Sequence, residues 1–287
     1  MPFITRSNPR EHPRRHMERG VSLVPSMFTM GTLACGFYAL LSTLRGAQLL
    51  TPGTVDGAAV AAFDNAAKAI GWAVVFDGLD GRIARLIRST SSFGREFDSL
   101  ADVIAFGLAP SVLAYAWGMR WLAMDYGHEW TRHLQPLSWI VCFAFVICGA
   151  GRLARFNLQS TRGGTDHRFF VGIPIPAAAG LVAAVVHWTK LPLDYWVSGI
   201  AWLAILSLLA FLMVSRIRYY SFKSLDLRRR RPYATFIFVG LIAWSIFLFS
   251  EQVLLLIASA YMLSGFIYRA AARSQPSESD SREVSAV

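Results

Sequence analysis

An all-α, polytopic bundle of transmembrane helices is the fold class this sequence predicts, and three observations carry the prediction. Of the 287 residues, 54% are hydrophobic and only 16% charged, with a mean hydropathy of +0.42. Several apolar runs approach or exceed the ~20 residues that carry a helix across a bilayer. Basic residues alternate between rich and poor connections, the pattern that membrane insertion imposes on loops. Such a chain has its core inside the bundle. The net charge of +10 would suggest nucleic acid in a soluble protein. Here an anionic membrane surface accounts for it, so no nucleic-acid partner is expected.

Taken in order, residues 1–20 form a polar arm with Arg6, Arg10, Arg14, Arg15 and Arg19. They read as a solvated basic arm or an interfacial helix. A cleaved signal peptide is disfavoured, because the next apolar run is too long and no small-residue cleavage site ends it. The weak twin-arginine match at Arg14-Arg15 is discounted for the same reason. Eight spans are expected, near 23–44, 58–80, 99–118, 137–157, 171–189, 196–214, 233–250 and 252–270. Glu251 marks a tight hairpin between the last two. Residues 274–287 are Ser-rich and charged without periodicity, as in a disordered tail.

Orientation follows from the Lys and Arg count. The arm, the even-to-odd connections and the tail hold 23 of the 28 basic residues, among them Arg82, Arg85, Arg88, Arg95, Arg152, Arg155 and the run Arg228 to Arg231. Arg45, Lys68, Arg120, Arg132 and Lys190 are left for the other side. Both termini are therefore expected in the cytoplasm, with the chain a multi-pass protein of the cell inner membrane. Cys35, Cys142 and Cys148 lie inside apolar runs without CxxC spacing. They read as small core residues rather than a disulfide or zinc framework.

One stretch stands apart from this apolar plan. It runs Asp77-Gly-Leu-Asp80-Gly81-Arg-Ile-Ala84-Arg85, then eight residues, then Gly94-Arg-Glu-Phe-Asp98-Ser-Leu-Ala-Asp102. Asp77 and Asp80 are three apart, Asp98 and Asp102 four apart, so each pair shares a helix face. Two helices joined by a short turn would bring four carboxylates together on the cytoplasmic side, at head-group depth. Four like charges there call for cations, and an all-oxygen set suits hard ions such as Mg²⁺ or Mn²⁺. Two such ions would form an electrophilic clamp for phosphoryl transfer.

The pattern Asp-x2-Asp-Gly-x2-Ala-Arg-x8-Gly-x3-Asp-x3-Asp, matched at all eight fixed positions, resembles the signature of the CDP-alcohol phosphotransferases. Further segments resemble the phosphatidylserine synthase branch of that family. They are Ser99 to Pro110, Gly151-Arg152-Leu-Ala-Arg155-Phe-Asn157, Phe170-Val-Gly172-Ile-Pro174-Ile-Pro176 and Tyr220-Ser-Phe-Lys223. The likeness covers about residues 23–231. It implies a six-helix catalytic core within a membrane domain over 21–231 and assembly as a homodimer, while the last two apolar runs are expected to form a C-terminal transmembrane hairpin over 232–273. It also implies CDP-diacylglycerol and L-serine as substrates. Asp77, Asp80, Asp98 and Asp102 would hold the metals, and Asp102 would take the proton of the acceptor hydroxyl. Gly81, Ala84 and Gly94 would leave room for the nucleotide, Arg85 would pair with the diphosphate, and Thr29 would serve the CDP-diacylglycerol head group. One departure is visible: the family commonly has Pro-Asn-x-x-Thr in the first span and often a second asparagine. This chain has Pro25-Ser26-Met-Phe-Thr29, and Thr32 at the later position.

Arg152 and Arg155 are candidates for the serine carboxylate, because a guanidinium fork matches a carboxylate. The bland alternative makes them positive-inside anchors. Pro174 and Pro176 shape the start of the fifth span, and Arg228 to Arg231 snorkel toward anionic lipid. Neither His167 nor His187 has metal-ligand spacing to a second ligand. Trp121, Trp130, Trp188, Tyr195, Trp196, Tyr219 and Tyr220 fall near span ends, where aromatic rings anchor at the interface. Two rival readings are the same chemistry with another alcohol (glycerol 3-phosphate, inositol phosphate or choline) and a membrane cation transporter. The transporter is disfavoured because the acids gather at one face and no inverted repeat is visible.

Overall fold

An isolated apolar segment in lipid must satisfy its own backbone polar groups, and the helix does so within the segment. The computed structural model describes residues 23–50, 56–87, 92–119, 131–161, 169–215, 217–220, 240–241 and 244–273. Helix α1 is Leu23–Leu49, α2 Gly57–Ile87, α3 Ser92–Asp102, α4 Ala109–Gly118, α5 Thr131–Thr161, α6 Ile175–Thr189, α7 Trp196–Val214 and α8 Ser250–Arg273. A π-helical stretch, Val103–Leu108, joins α3 to α4. Two short strands, β1 (Phe169–Val171) and β2 (Arg218–Tyr220), pair antiparallel with Phe170 opposite Tyr219.

Six segments are long and apolar enough to cross a membrane: Met27–Leu49, Gly57–Ile83, Phe93–Gly118, Leu134–Leu158, Trp196–Val214 and Ser250–Ile267. The protein is an integral membrane protein, and the all-helical reading holds apart from the small β ribbon. The span expected at 233–250 lies mostly outside the described residues. So do the arm over 1–20, His167, Arg228 to Arg231 and the tail over 274–287.

Helix α6 occupies the middle of the bundle. At 15 residues it is about 22 Å long, short of the ~30 Å hydrocarbon layer. Nine of its residues are nonetheless buried, including Ala178, Ala179, Ala183 and Ala184, and such small residues let neighbouring helices approach closely. The sequence places this span at 171–189, whereas the helix starts at Ile175. The reason is a corner at Gly172 and Pro174. Gly172 adopts φ +81°, and a Cβ there would lie 2.4 Å from the Met213 carbonyl oxygen. Its N–H donates to the Ile217 carbonyl at 2.8 Å, and that of Ile173 to Leu212 at 3.2 Å. The corner is thus strapped to the end of α7, and the ribbon brings the two flanking connections together.

The core is knit by large side chains with satisfied polar atoms. Trp117 and Trp202 meet edge to face, ring centroids 5.3 Å apart. Their indole N–H groups donate to the carbonyls of Lys190 and Ala114. Phe63, Ile70, Phe106, Leu113, Phe145 and Leu206 fill the interior. At Gly36, α1 touches the π-helical stretch backbone to backbone, since a Cβ would fall 2.7 Å from the Ala105 Cα. Outward-facing Phe37, Trp72, Phe143, Phe211 and Leu256 form the apolar exterior that lipid covers.

Candidate active site

Asp77 and Asp80 sit one turn apart near the end of α2, and Asp98 and Asp102 one turn apart on α3. The helices run so that carboxylate oxygens of Asp77, Asp98 and Asp102 all lie within 4.8 Å of one another. Asp80 is buried beside them but turned toward α1, where the Thr29 hydroxyl donates to its Oδ2. Asp102 is buried as well, within electrostatic reach of Asp77, Asp98, Arg152 and Asp80. All four predicted acids therefore share one neighbourhood, three of them in a single oxygen cluster.

The donor set fits a divalent cation on two grounds. It is built of carboxylate oxygens, the ligands that Mg²⁺ and Mn²⁺ prefer. In addition, Asp102 Oδ1 is buried with no hydrogen-bond partner among the described residues. A buried orphan acceptor carries a desolvation cost that ligation would remove.

The π-helical stretch begins directly after Asp102. The Ala109 N–H bonds to the Ile104 carbonyl, five residues back, and Pro110 supplies no N–H for the next α-helical bond. A π turn inserts one extra residue, which rotates the following helix by about 100° relative to unbroken α register. It leaves Asp102 facing the acids while Ala105, Phe106 and Gly107 are buried. Gly107 and Pro110 are the sequence signal for this feature, and sequence reasoning passed over it.

The remaining predicted residues fall into place as follows. Gly81 borders open space, since a Cβ there would meet nothing within 4 Å. The glycine is not required by internal packing, and the space beside it is free for a ligand. Gly94 is half-buried on α3. The backbones of Ala84 and Arg85 continue α2, but their side chains lie outside the described residues. Arg152, on α5, is buried and within electrostatic reach of Asp102. It is thus part of the acid neighbourhood rather than an anchor at the lipid surface. Arg155, one turn on, is exposed, and its Nη1 donates to the Val214 carbonyl at the end of α7, at 3.4 Å. Thr32 is buried and its hydroxyl donates to its own helix, at the Phe28 carbonyl. Asn157 donates to the Ser99 hydroxyl at 2.8 Å, which itself donates to the Arg95 carbonyl. That pair ties α5 to the acid-bearing α3.

The sequence profile of the family described as CDP-alcohol phosphatidyltransferase matches residues 22–213. Among curated proteins, the chain is similar to one of Helicobacter pylori named CDP-diacylglycerol–serine O-phosphatidyltransferase. The two are 40% identical over 200 residues, 68% of this chain and 75% of that protein. A protein of the same name from Bacillus subtilis is 31% identical over 204 residues, 71% of this chain and 93% of its own length. One from Methanocaldococcus jannaschii is 38% identical over 146 residues, 51% and 59% of the two chains.

Proposed function

Because the chain belongs to the CDP-alcohol phosphatidyltransferase family, we propose that it transfers the phosphatidyl group of CDP-diacylglycerol to the hydroxyl of L-serine, giving phosphatidylserine and CMP. The convergence of Asp77, Asp98 and Asp102 beside Arg152 is the observation that carries this reading. The names of the three relatives supply the acceptor.

Each residue has a task in that reaction. The serine oxygen bonds to the phosphorus attached to diacylglycerol, the bond from that phosphorus to the bridging oxygen breaks, and CMP leaves with that oxygen. Asp102 accepts the hydroxyl proton, a step for which a buried carboxylate with a free oxygen is suited. Arg152 holds the serine carboxylate through its planar fork, with Arg155 as the weaker candidate because its guanidinium is turned to α7. Gly81, Ala84 and Gly94 leave the backbone open to the nucleotide, and Arg85 pairs with its diphosphate. Thr29 acts through Asp80, fixing the carboxylate that it bonds. Mg²⁺ or Mn²⁺, two ions held by Asp77, Asp80, Asp98 and Asp102, would neutralise the phosphate charge as Lewis acids.

The same reading places the site and both termini in the cytoplasm at the inner membrane, supported by the 23-to-5 division of basic residues. It takes residues 21–231 as the catalytic unit and the protein as a homodimer. The test is CMP release by the purified protein from CDP-diacylglycerol with serine, glycerol 3-phosphate, inositol phosphate or choline. Serine-dependent, metal-dependent release is expected. Release with another alcohol alone moves the acceptor assignment. Failure with every alcohol, metal present, overturns the transferase reading.

A further inference from the structure

Helix α5 runs antiparallel to the segment that carries Asp98 and Asp102, and the bonds between them set the register. On α4 the Ser111 hydroxyl donates to the Cys142 carbonyl at 2.8 Å. In the π-helical stretch a Cβ at Gly107 would lie 3.8 Å from Val146. On α3 the Ser99 hydroxyl accepts from the Asn157 amide at 2.8 Å and itself donates to the Arg95 carbonyl at 2.9 Å. Positions climb along α5 as they fall along the facing segment. Asp102 lies between Gly107 and Ser99 in this register, and Arg152 lies between Val146 and Asn157. Those two residues therefore stand level with each other, and the Asn157–Ser99 bond is the next rung toward the start of α3.

The rungs differ in their surroundings. Ser111 and Cys142 are buried among core side chains, whereas around the outer rung Phe93 and Leu100 of α3 and Leu158 of α5 are exposed. An eleven-residue helix with so little apolar cover needs a directional contact to fix its rotation. Ser99 is next to Asp98 and one turn before Asp102, so turning α3 about its axis moves both carboxylates relative to Asp77 on α2. A turn of about 20° carries a side-chain tip, ~5–6 Å from the axis, through roughly 2 Å. That is about ten times the ~0.2 Å latitude of a metal–ligand distance.

We propose that Asn157 is a positioning residue for the acid cluster. Through Ser99 it fixes the rotation of α3, and so where Asp98 and Asp102 aim relative to Asp77. This inference rests on the reading of Asp77, Asp98 and Asp102 as ligands of a divalent cation.

Mn²⁺ titration of the full-length protein in detergent, read by the spin resonance of the free ion, tests it. Asn157→Ala and Ser99→Ala should each raise the Mn²⁺ Kd about 3–10-fold, the worth of one hydrogen bond. The double variant should bind no more weakly than either single one, because both substitutions remove the same bond. Ser99→Thr keeps the hydroxyl and should hold the Kd within about twofold. If Asn157→Ala lowers the folded yield, the Ser99→Ala and Ser99→Thr pair decides. A lower melting temperature in chelator with an unchanged Mn²⁺ Kd would make Asn157 a holder of the fold only and overturn the proposal. Losses that add in the double variant would overturn it as well. Undiminished Mn²⁺ binding in Asp98→Asn overturns the ligand reading itself. Weakened binding in Asp98→Asn beside an unchanged Kd in Asn157→Ala overturns the present inference alone.

Discussion

The two ends of this bundle hold charged side chains in opposite arrangements. At the far end Asp64 is paired with Lys68 and His187, and Glu251 with Lys190. At the near end Asp77, Asp98 and Asp102 crowd their oxygens within 4.8 Å. Among the described residues, Arg152 is the buried cation in electrostatic reach of Asp102. Ionised carboxylates at that spacing repel by on the order of 3 kcal/mol per pair at an effective dielectric of 20. Matched charges serve the fold and need nothing from outside. Gathered like charges weaken the fold and are retained where function requires them. The contrast separates polarity that ties helices together from the polarity to which the proposed chemistry is assigned.

The largest effect belongs to Asp102. Asp102→Asn keeps the shape of the side chain and removes its capacity to take a proton. Turnover should fall roughly 10²–10⁴-fold, the usual worth of a positioned base, while CDP-diacylglycerol binding, measured directly, persists. Normal turnover in this variant would withdraw the base role and leave the acids as ligands only.

A thermal comparison between the ends sharpens the contrast. In chelator, Asp98→Asn should leave the melting temperature unchanged or raise it, because one repulsive charge is gone. Asp64→Asn should instead cost about 1–3 kcal/mol, the penalty for breaking a part-buried hydrogen-bonded pair. Saturating Mg²⁺ at a hundred times its Kd should stabilise the native chain by about 2.7 kcal/mol. That gain should survive in Asp64→Asn and vanish in Asp98→Asn. Equal losses from both substitutions in chelator, or an ion response at neither site, would erase the distinction.

Much of the acid end was legible because its chemistry is local. The spacings of Asp77, Asp80, Asp98 and Asp102 place each pair on one helix face whatever the tertiary packing. The apolar runs on either side bring the pairs together. Arg152 was legible as a candidate but could not be told from a surface anchor, since burial is a property of the bundle. The π-helical stretch after Asp102 escaped because its signals, Gly107 and Pro110, are equally compatible with an ordinary helix start. The far-end tie was missed because Asp64, Lys68, His187 and Glu251 come from three helices, with no motif linking them.

The smallest effect concerns Lys190, at the rim of that tie. Its hydrogen bond to Glu251 holds the ammonium above its usual value near 10.5. A raised folded-state value means that the pair's contribution is fully present below the unfolded lysine value and disappears as pH climbs through the folded one. The melting-temperature difference between the native protein and Lys190→Met should therefore be small and flat from about pH 6 to 9. It should narrow only above about pH 10.5, where free lysine loses its proton. Small is the expectation because exposed ion pairs are screened and contribute little, so the tie draws most of its strength from the buried His187 link to Asp64 and Ser250. A difference that closed between pH 6 and 8 would assign the effect to another titrating group and take the Lys190–Glu251 pair out of the tie.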